Sequence, residues 1–274
     1  MKVSVKLVLA SLFLTSLASC TKESSFRQDQ AGNVAGAEIS GGNSQTEPKP
    51  EVIVIRASGE IDASLNKFRE LLGPLNTAPG ARGGRREINW DAVPEMFTNN
   101  NLFPGNFFAS FDVNAPNGRK RGLLSTTPGD GFRISDKDFS DLDSAFTGQF
   151  RAFSPEKTFI ANGSVITDNF FKVPGTNTDA TVQGFGVVFS DVNNAASTSM
   201  EFFSGEKSLG SFKVPNNGKN NPGGFSFLGV YFPHEKISRV RIYSGNTPLS
   251  SSKEDLAGKD LVIMDDFIYS EPAQ

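Results

Sequence analysis

The chain is poor in the side chains on which most catalytic and metal centres depend. Its 274 residues include one Cys and one His. A single Cys forbids an internal disulfide and a cysteine-rich zinc site. A single His forbids a multi-histidine metal centre. One Trp and three Tyr leave few aromatic platforms for stacking on sugars. There is no G-x-S-x-G elbow and no G-x-x-x-x-G-K-S/T phosphate loop. A Ser–His–Asp triad would have to use His234, which sits in the turn-like Phe232-Pro233-His234-Glu235-Lys236 and reads as a loop residue. The chain therefore reads as a non-enzyme. The enzymatic alternative is a glycan-active hydrolase, which needs only two carboxyls across a cleft. What the chain does hold is Phe, 25 of them, enough apolar side chain to fill one sizeable domain.

Long apolar runs are also missing, apart from one near the start. Lys2 and Lys6 precede an apolar stretch from Leu7 to about Leu17. It is shorter than the roughly 20 residues of a spanning helix and reads as an export signal. Leu17-Ala18-Ser19-Cys20 resembles the bacterial lipobox. That resemblance implies cleavage before Cys20 and acylation of its thiol and new amino group, hence a membrane anchor of several acyl chains. Thr21, rather than Asp, follows the cysteine, which by resemblance to Gram-negative lipoproteins favours the outer membrane. Removing residues 1–19 takes away two of the 27 basic side chains and none of the 30 acidic ones, leaving a formal charge of −5. A mildly acidic chain argues against nucleic acid as a partner.

Three segments are expected: residues 1–19 as lipoprotein signal peptide, 20–57 as lipidated Cys and disordered tether, and 58–274 as the folded domain. The β-branched run Val52-Ile53-Val54-Ile55 is either a first strand or the end of the tether. Ile61, Leu65, Phe68 and Leu72 form one apolar stripe, which predicts a helix over 61–72, with Asp62 as its cap and Gly73-Pro74 as its stop. Strands are predicted at 107–113, 131–134, 164–173, 183–190, 198–204, 208–214, 225–232, 237–243 and 260–269, separated by Gly/Pro/Asn turns. The clearest hairpin turns at Ser204-Gly205-Glu206-Lys207. Phe171-Lys172-Val173-Pro174 recurs as Phe212-Lys213-Val214-Pro215, reading as two strands that each end at a Pro. The fold class expected is mainly β: an antiparallel, jelly-roll-like β-sandwich with one N-terminal helix.

Several segments resemble one family: GRREINWDAVP (84–94), GFGVVFSDV (184–192), FSFLGVYF (225–232), ISRVRIYSGN (237–246) and LVIMDDFIY (261–269). The resemblance, over roughly residues 60–272, is to exported bacterial proteins without an established activity, some carrying PEP-CTERM-type surface-sorting signals. This chain departs from those members by ending in Glu271-Pro272-Ala273-Gln274, without a PEP motif and hydrophobic tail. The resemblance implies an exported β-sandwich and no mechanism.

The remaining candidates are acids and aromatics. Calcium takes six to eight oxygen ligands. Asp136, Asp138 and Asp141 lie in an acid-rich loop that departs from the EF-hand spacing. Asp265 and Asp266 are adjacent in the last predicted strand, so one should face the core and need a partner: an Arg, backbone N–H groups, or calcium shared with Asp191 or Glu87. Solvated acids paired with arginines are the alternative to bound calcium at both places. Trp90, Tyr231 and Tyr243 are the candidates for contact with a glycan. The function expected is a lipid-anchored envelope module binding a glycan or extracellular matrix, with a structural or surface-protein interaction role as a further alternative.

Overall fold

The computed structural model describes residues 50–218, 221–249 and 258–274. The expected signal peptide, Cys20 and the expected tether up to residue 49 lie outside the described residues. In chain order the elements are β1 (Ile53–Ser58), α1 (Asp62–Leu72), β2 (Arg85–Ile88), β3 (Asn100–Phe103), β4 (Leu123–Thr126), β5 (Phe132–Ser135), β6 (Thr158–Ala161), β7 (Ile166–Lys172), β8 (Asp179–Ala180), β9 (Gly184–Ser190), β10 (Ser199–Ser204), β11 (Lys207–Lys213), β12 (Phe225–Tyr231), β13 (Arg239–Tyr243) and β14 (Ile263–Ser270). They form two antiparallel sheets. One runs β1-β12-β9-β14-β6-β5-β3, with β2 also paired to β14; the other runs β11-β10-β13-β7-β4, with β8 paired to β7.

The two sheets face each other across an aromatic core. Phe185, Val187, Phe189, Phe267 and Tyr269 of the first meet Phe171, Met200, Phe202, Phe212 and Ile242 of the second. The outer face of the second sheet is open to water, so its strands alternate. In β13 Val240 and Ile242 are buried, while Arg239, Arg241 and Tyr243 face outward. Arg241 there grips Asp168 across the β13–β7 pair through two bonds of 2.8 and 2.7 Å. The first sheet is covered on its outer face as well. Leu65, Phe68 and Leu72 of α1 pack there with Val188, Phe227 and Ile268, and Phe139, Phe146 and Phe150 pack with Ile160 and Ile263. Central strands covered on both faces need no polar alternation, which is why β9 and β12 read as continuous apolar runs.

The helix crosses the sheet at two glycines. Gly186 of β9 and Gly229 of β12 are register partners. A Cβ on Gly229 would stand 2.7 Å from the Phe68 ring, and one on Gly186 would stand 2.8 Å from it. The missing side chains thus make the seat for Phe68.

Three expectations need correction. The tether was expected to run to residue 57, with Val52–Ile55 left open as a first strand; the strand reading holds, and the boundary moves, since β1 begins at Ile53 and pairs with β12 in continuous register from Ile53↔Tyr231 to Ser58↔Ser226. Asp62 does not cap α1: Ile61 is the N-cap, it makes no side-chain cap bond, and Asp62 sits in the first turn. Residues 107–113 are not a strand. Phe107 N–H donates to Pro104 O at 2.9 Å and Ala109 N–H to Asn106 O at 3.0 Å, so successive turns bury both Phe107 and Phe108. The other eight predicted strands are present with ends shifted by three residues or fewer. The hairpin turns at Gly205, whose φ of 59° is easy only for glycine. Gly73 ends α1 as expected, its N–H bonding to Arg69 O and Glu70 O.

Candidate functional site

The two acids of the last strand lie at a bulge. Met264 pairs with Phe189 and Phe267 with Val187, so Asp265 and Asp266 together stand opposite the single residue Val188. Such a two-against-one mismatch breaks the strict alternation of side chains. The expectation that only one acid would turn inward is therefore corrected. Both are buried, at 1% and 4% exposure, and both accept from one hydroxyl: Ser154 Oγ is 3.3 Å from Asp265 Oδ1 and 2.7 Å from Asp266 Oδ1. Asp265 Oδ2 also accepts from the N–H groups of Phe153 at 2.5 Å and Ser154 at 3.1 Å. Arg69 of α1 reaches Asp266 at 3.5 Å and clasps Glu87 at 3.0 and 2.8 Å. Arg85 adds a 2.6 Å bond to Glu87.

The charges follow from these contacts. Burial raises the Asp265 carboxyl well above its ordinary value, and the neighbouring Asp266 charge adds to this. Burial raises Asp266 too, against the pull of Ser154 and Arg69. Burial alone would raise Glu87, but hydrogen bonds from Arg69 and Arg85 prevail and hold it below the usual carboxylate range.

The structure thus brings Glu87, Asp265 and Asp266 into one network, satisfied by arginines, a serine and backbone N–H groups. Asp191 joins Gln149 at 3.3 Å. The acid-rich loop is tied off residue by residue. Asp136 accepts from Asn99 at 2.7 Å, Asp141 pairs with Arg133, and Asp138, raised by burial, accepts from the Ala152 N–H. Among the described residues no group of three or more acidic, His or Cys side chains is arranged to hold a metal ion. His234 is exposed and lies 3.3 Å from Glu51.

The three glycan candidates are scattered. Trp90 is a core residue at 2% exposure, with one face stacked on Phe159 at 4.1 Å and its Nε1–H donating to Asp265 O at 3.0 Å. Its indole is no open platform. Tyr243 lies half-buried on the outer face of the second sheet, bonded to Arg241. Tyr231, at the end of β12, lines a polar cleft of about 280 Å³.

That cleft is assembled from distant segments. The C-terminal end of α1, the Arg82-Gly83-Gly84 turn, Thr181–Gln183, Tyr231, Lys236 and the residues after β14 all reach it. Buried polar bonding holds its wall. Arg86, fully buried, forms a fork with Glu271 through two bonds of 2.6 Å, and Asn76 donates to the same carboxylate at 2.9 Å. Glu271 is thereby spent. Arg82 and Lys236 are exposed and have no carboxylate partner among the described residues. Gln183, exposed beside Tyr231, donates its amide Nε2 to Pro233 O at 2.9 Å and has its amide oxygen uncommitted among the described residues. Sequence reading took Tyr231 as a glycan candidate and Arg82 as one of a short ion-paired basic run, because four segments separated by tens of residues meet at this point and no local spacing reveals it.

The fold is a two-sheet antiparallel β-sandwich carrying one helix on its first sheet. Compared with family models, curated proteins and solved structures, the chain matches none.

Proposed function

We propose that this is an exported, lipid-anchored envelope protein that binds an acidic glycan without transforming it, through the Tyr231 cleft. One observation carries the reading: two cations free of carboxylate partners, Arg82 and Lys236, flank a half-buried tyrosine and an exposed amide in a polar cleft. A tyrosine ring offers a sugar an apolar face and a polar edge. The unpaired cations select a uronate or sulfate over a neutral sugar. The likeness to exported bacterial proteins and the lipobox-like Leu17-Ala18-Ser19-Cys20 supply the envelope setting. A role in carboxylate catalysis fits less well, since Asp265 and Asp266 are sealed from solvent and a glycoside cleft must admit its substrate.

The test is binding of the purified protein to alginate and polygalacturonate, with dextran as the neutral control. Acidic polymers should bind and dextran should not. Lys236→Ala and Tyr231→Ala should each weaken binding by about tenfold, as for loss of one charge-assisted or stacking contact. Equal retention of dextran, or no retention of any polymer by folded protein, would overturn the reading.

A further inference from the structure

A second cavity, apart from the Tyr231 cleft, opens between the segment after β2 and the turns that lead into β4. It has a volume of about 270 Å³, and its lining includes Trp90, Phe107, Phe108, Pro116, Arg119 and Arg121. Apart from the two arginines and Asn89, every lining residue is apolar or glycine. The arginines are fixed in place. The Arg119 guanidinium lies 4.5 Å from the centre of the Phe107 ring, and its Nε donates to Phe107 O at 3.4 Å. Arg121 donates to Glu87 O and, at 3.0 Å, to Gly118 O. Neither has a carboxylate partner among the described residues: Arg119 is held by a carbonyl and a ring face, and Arg121 by two carbonyls, which leaves both positive charges unneutralised. The loop that supplies Pro116 and Arg119 also carries Phe111 and Val113, at 63% and 84% exposure.

We infer that this cavity binds a small amphipathic anion: an apolar body of about one aromatic ring, bearing a single carboxylate that meets Arg119. The volume argues for the body. An apolar cavity of about 150 Å³ holds one benzene, so 270 Å³ accommodates a ring with a short arm. The guanidiniums argue for the head, because a planar fork with free donors suits a carboxylate. The cavity is smaller than the usual range of drug-sized sites, so the body it encloses is no larger than a ring with a short arm. The inference stands apart from glycan binding: it uses no residue of the Tyr231 cleft.

Trp90, the only tryptophan, lines the cavity and supplies the readout. The full chain is titrated with 4-phenylbutyrate and with the neutral 4-phenylbutanol while tryptophan emission is followed. A saturable change is expected, with the carboxylate binding about tenfold more tightly than the alcohol. Arg119→Gln should erase that preference, and Ala92→Phe, at an exposed lining position, should abolish the response to both compounds. A further arm uses vesicles of phosphatidylglycerol, whose anionic headgroups present the same charge on a lipid surface. Equal affinity for acid and alcohol, a response that survives Ala92→Phe, a response to vesicles alone, or no response at all would each overturn the inference. The acid–alcohol comparison needs no variant, so a substitution that fails to fold does not rescue it.

Discussion

Asp265 keeps a carboxyl where its surroundings resist a charge. The ordinary value for Asp265 and Asp266 is 3.8, and burial raises both. The sign of the consequence is fixed. Between 3.8 and the raised value, the folded chain holds a proton that the unfolded chain has released. Stability is therefore greatest below the ordinary value and falls as pH rises through the raised one. Glu87 acts the other way, for its lowered carboxyl adds stability above 4.5 that is lost as pH falls through its folded value. Asp265→Asn keeps an oxygen acceptor for the Phe153 and Ser154 N–H groups and removes the charge. At pH 7 it is expected to raise Tm by roughly 2–4 °C, the equivalent of about 1 kcal/mol in a domain of this size. It should also flatten the decline of Tm above the ordinary carboxylate range. An unchanged or lower Tm at pH 7 would show that the charged carboxylate is fully compensated where it lies. The sequence announced a buried acid but not two. Alternation alone put one residue on each face, and the bulge that turns both carboxyls toward Ser154 depends on the pairing of β14 with β9, which no local pattern encodes.

The seat of α1 shows how elements constrain each other. Phe68 lies on the Gly186–Gly229 pair, so the helix and two strands share one fit. Gly229→Ala should cost about 1–3 kcal/mol by overpacking. Because the nearest atoms are those of the Phe68 ring, with the Phe227 ring edge next at 2.9 Å, the same change should cost less in a Phe68→Leu background. Urea unfolding of the two single variants, the double variant and the parent measures this; strictly additive losses would place the strain elsewhere. The helix itself was legible, since its four-residue stripe admits one geometry. So were eight strands, whose turns are marked by Gly, Pro and Asn. Two kinds of segment were not. β2, β3, β4, β6 and β8, two to four residues each, are strands only because longer or neighbouring strands pair with them. The Phe-rich residues 107–113 carry strand-like composition, but bonds back to Pro104 and Asn106 curl them into turns. The cavity that Phe107 and Phe108 line is a result of that curl and was invisible for the same reason.

At the scale of the whole molecule, one face of the first sheet carries the helix and the Phe139–Phe150 cluster, while the outer face of the second is polar and open. The chain before the fold is, on the proposed reading, the route to the membrane. Cys20→Ser should then move the protein from the membrane fraction to the soluble fraction after cell lysis, with its Tm unchanged, since the described sandwich is built from residues 50 onward. Continued partition with membranes would contradict the anchor. The place where that chain joins the fold has a mechanical meaning. β1 is an edge strand, and any tension carried by the preceding residues enters at Ile53, the first residue of six paired with β12. A pull along the strand loads all six pairs at once, whereas a pull away from the sheet edge would peel them singly. β1 is thus the first paired element to bear that load, and the direction of the pull decides whether its six pairs act together or one by one.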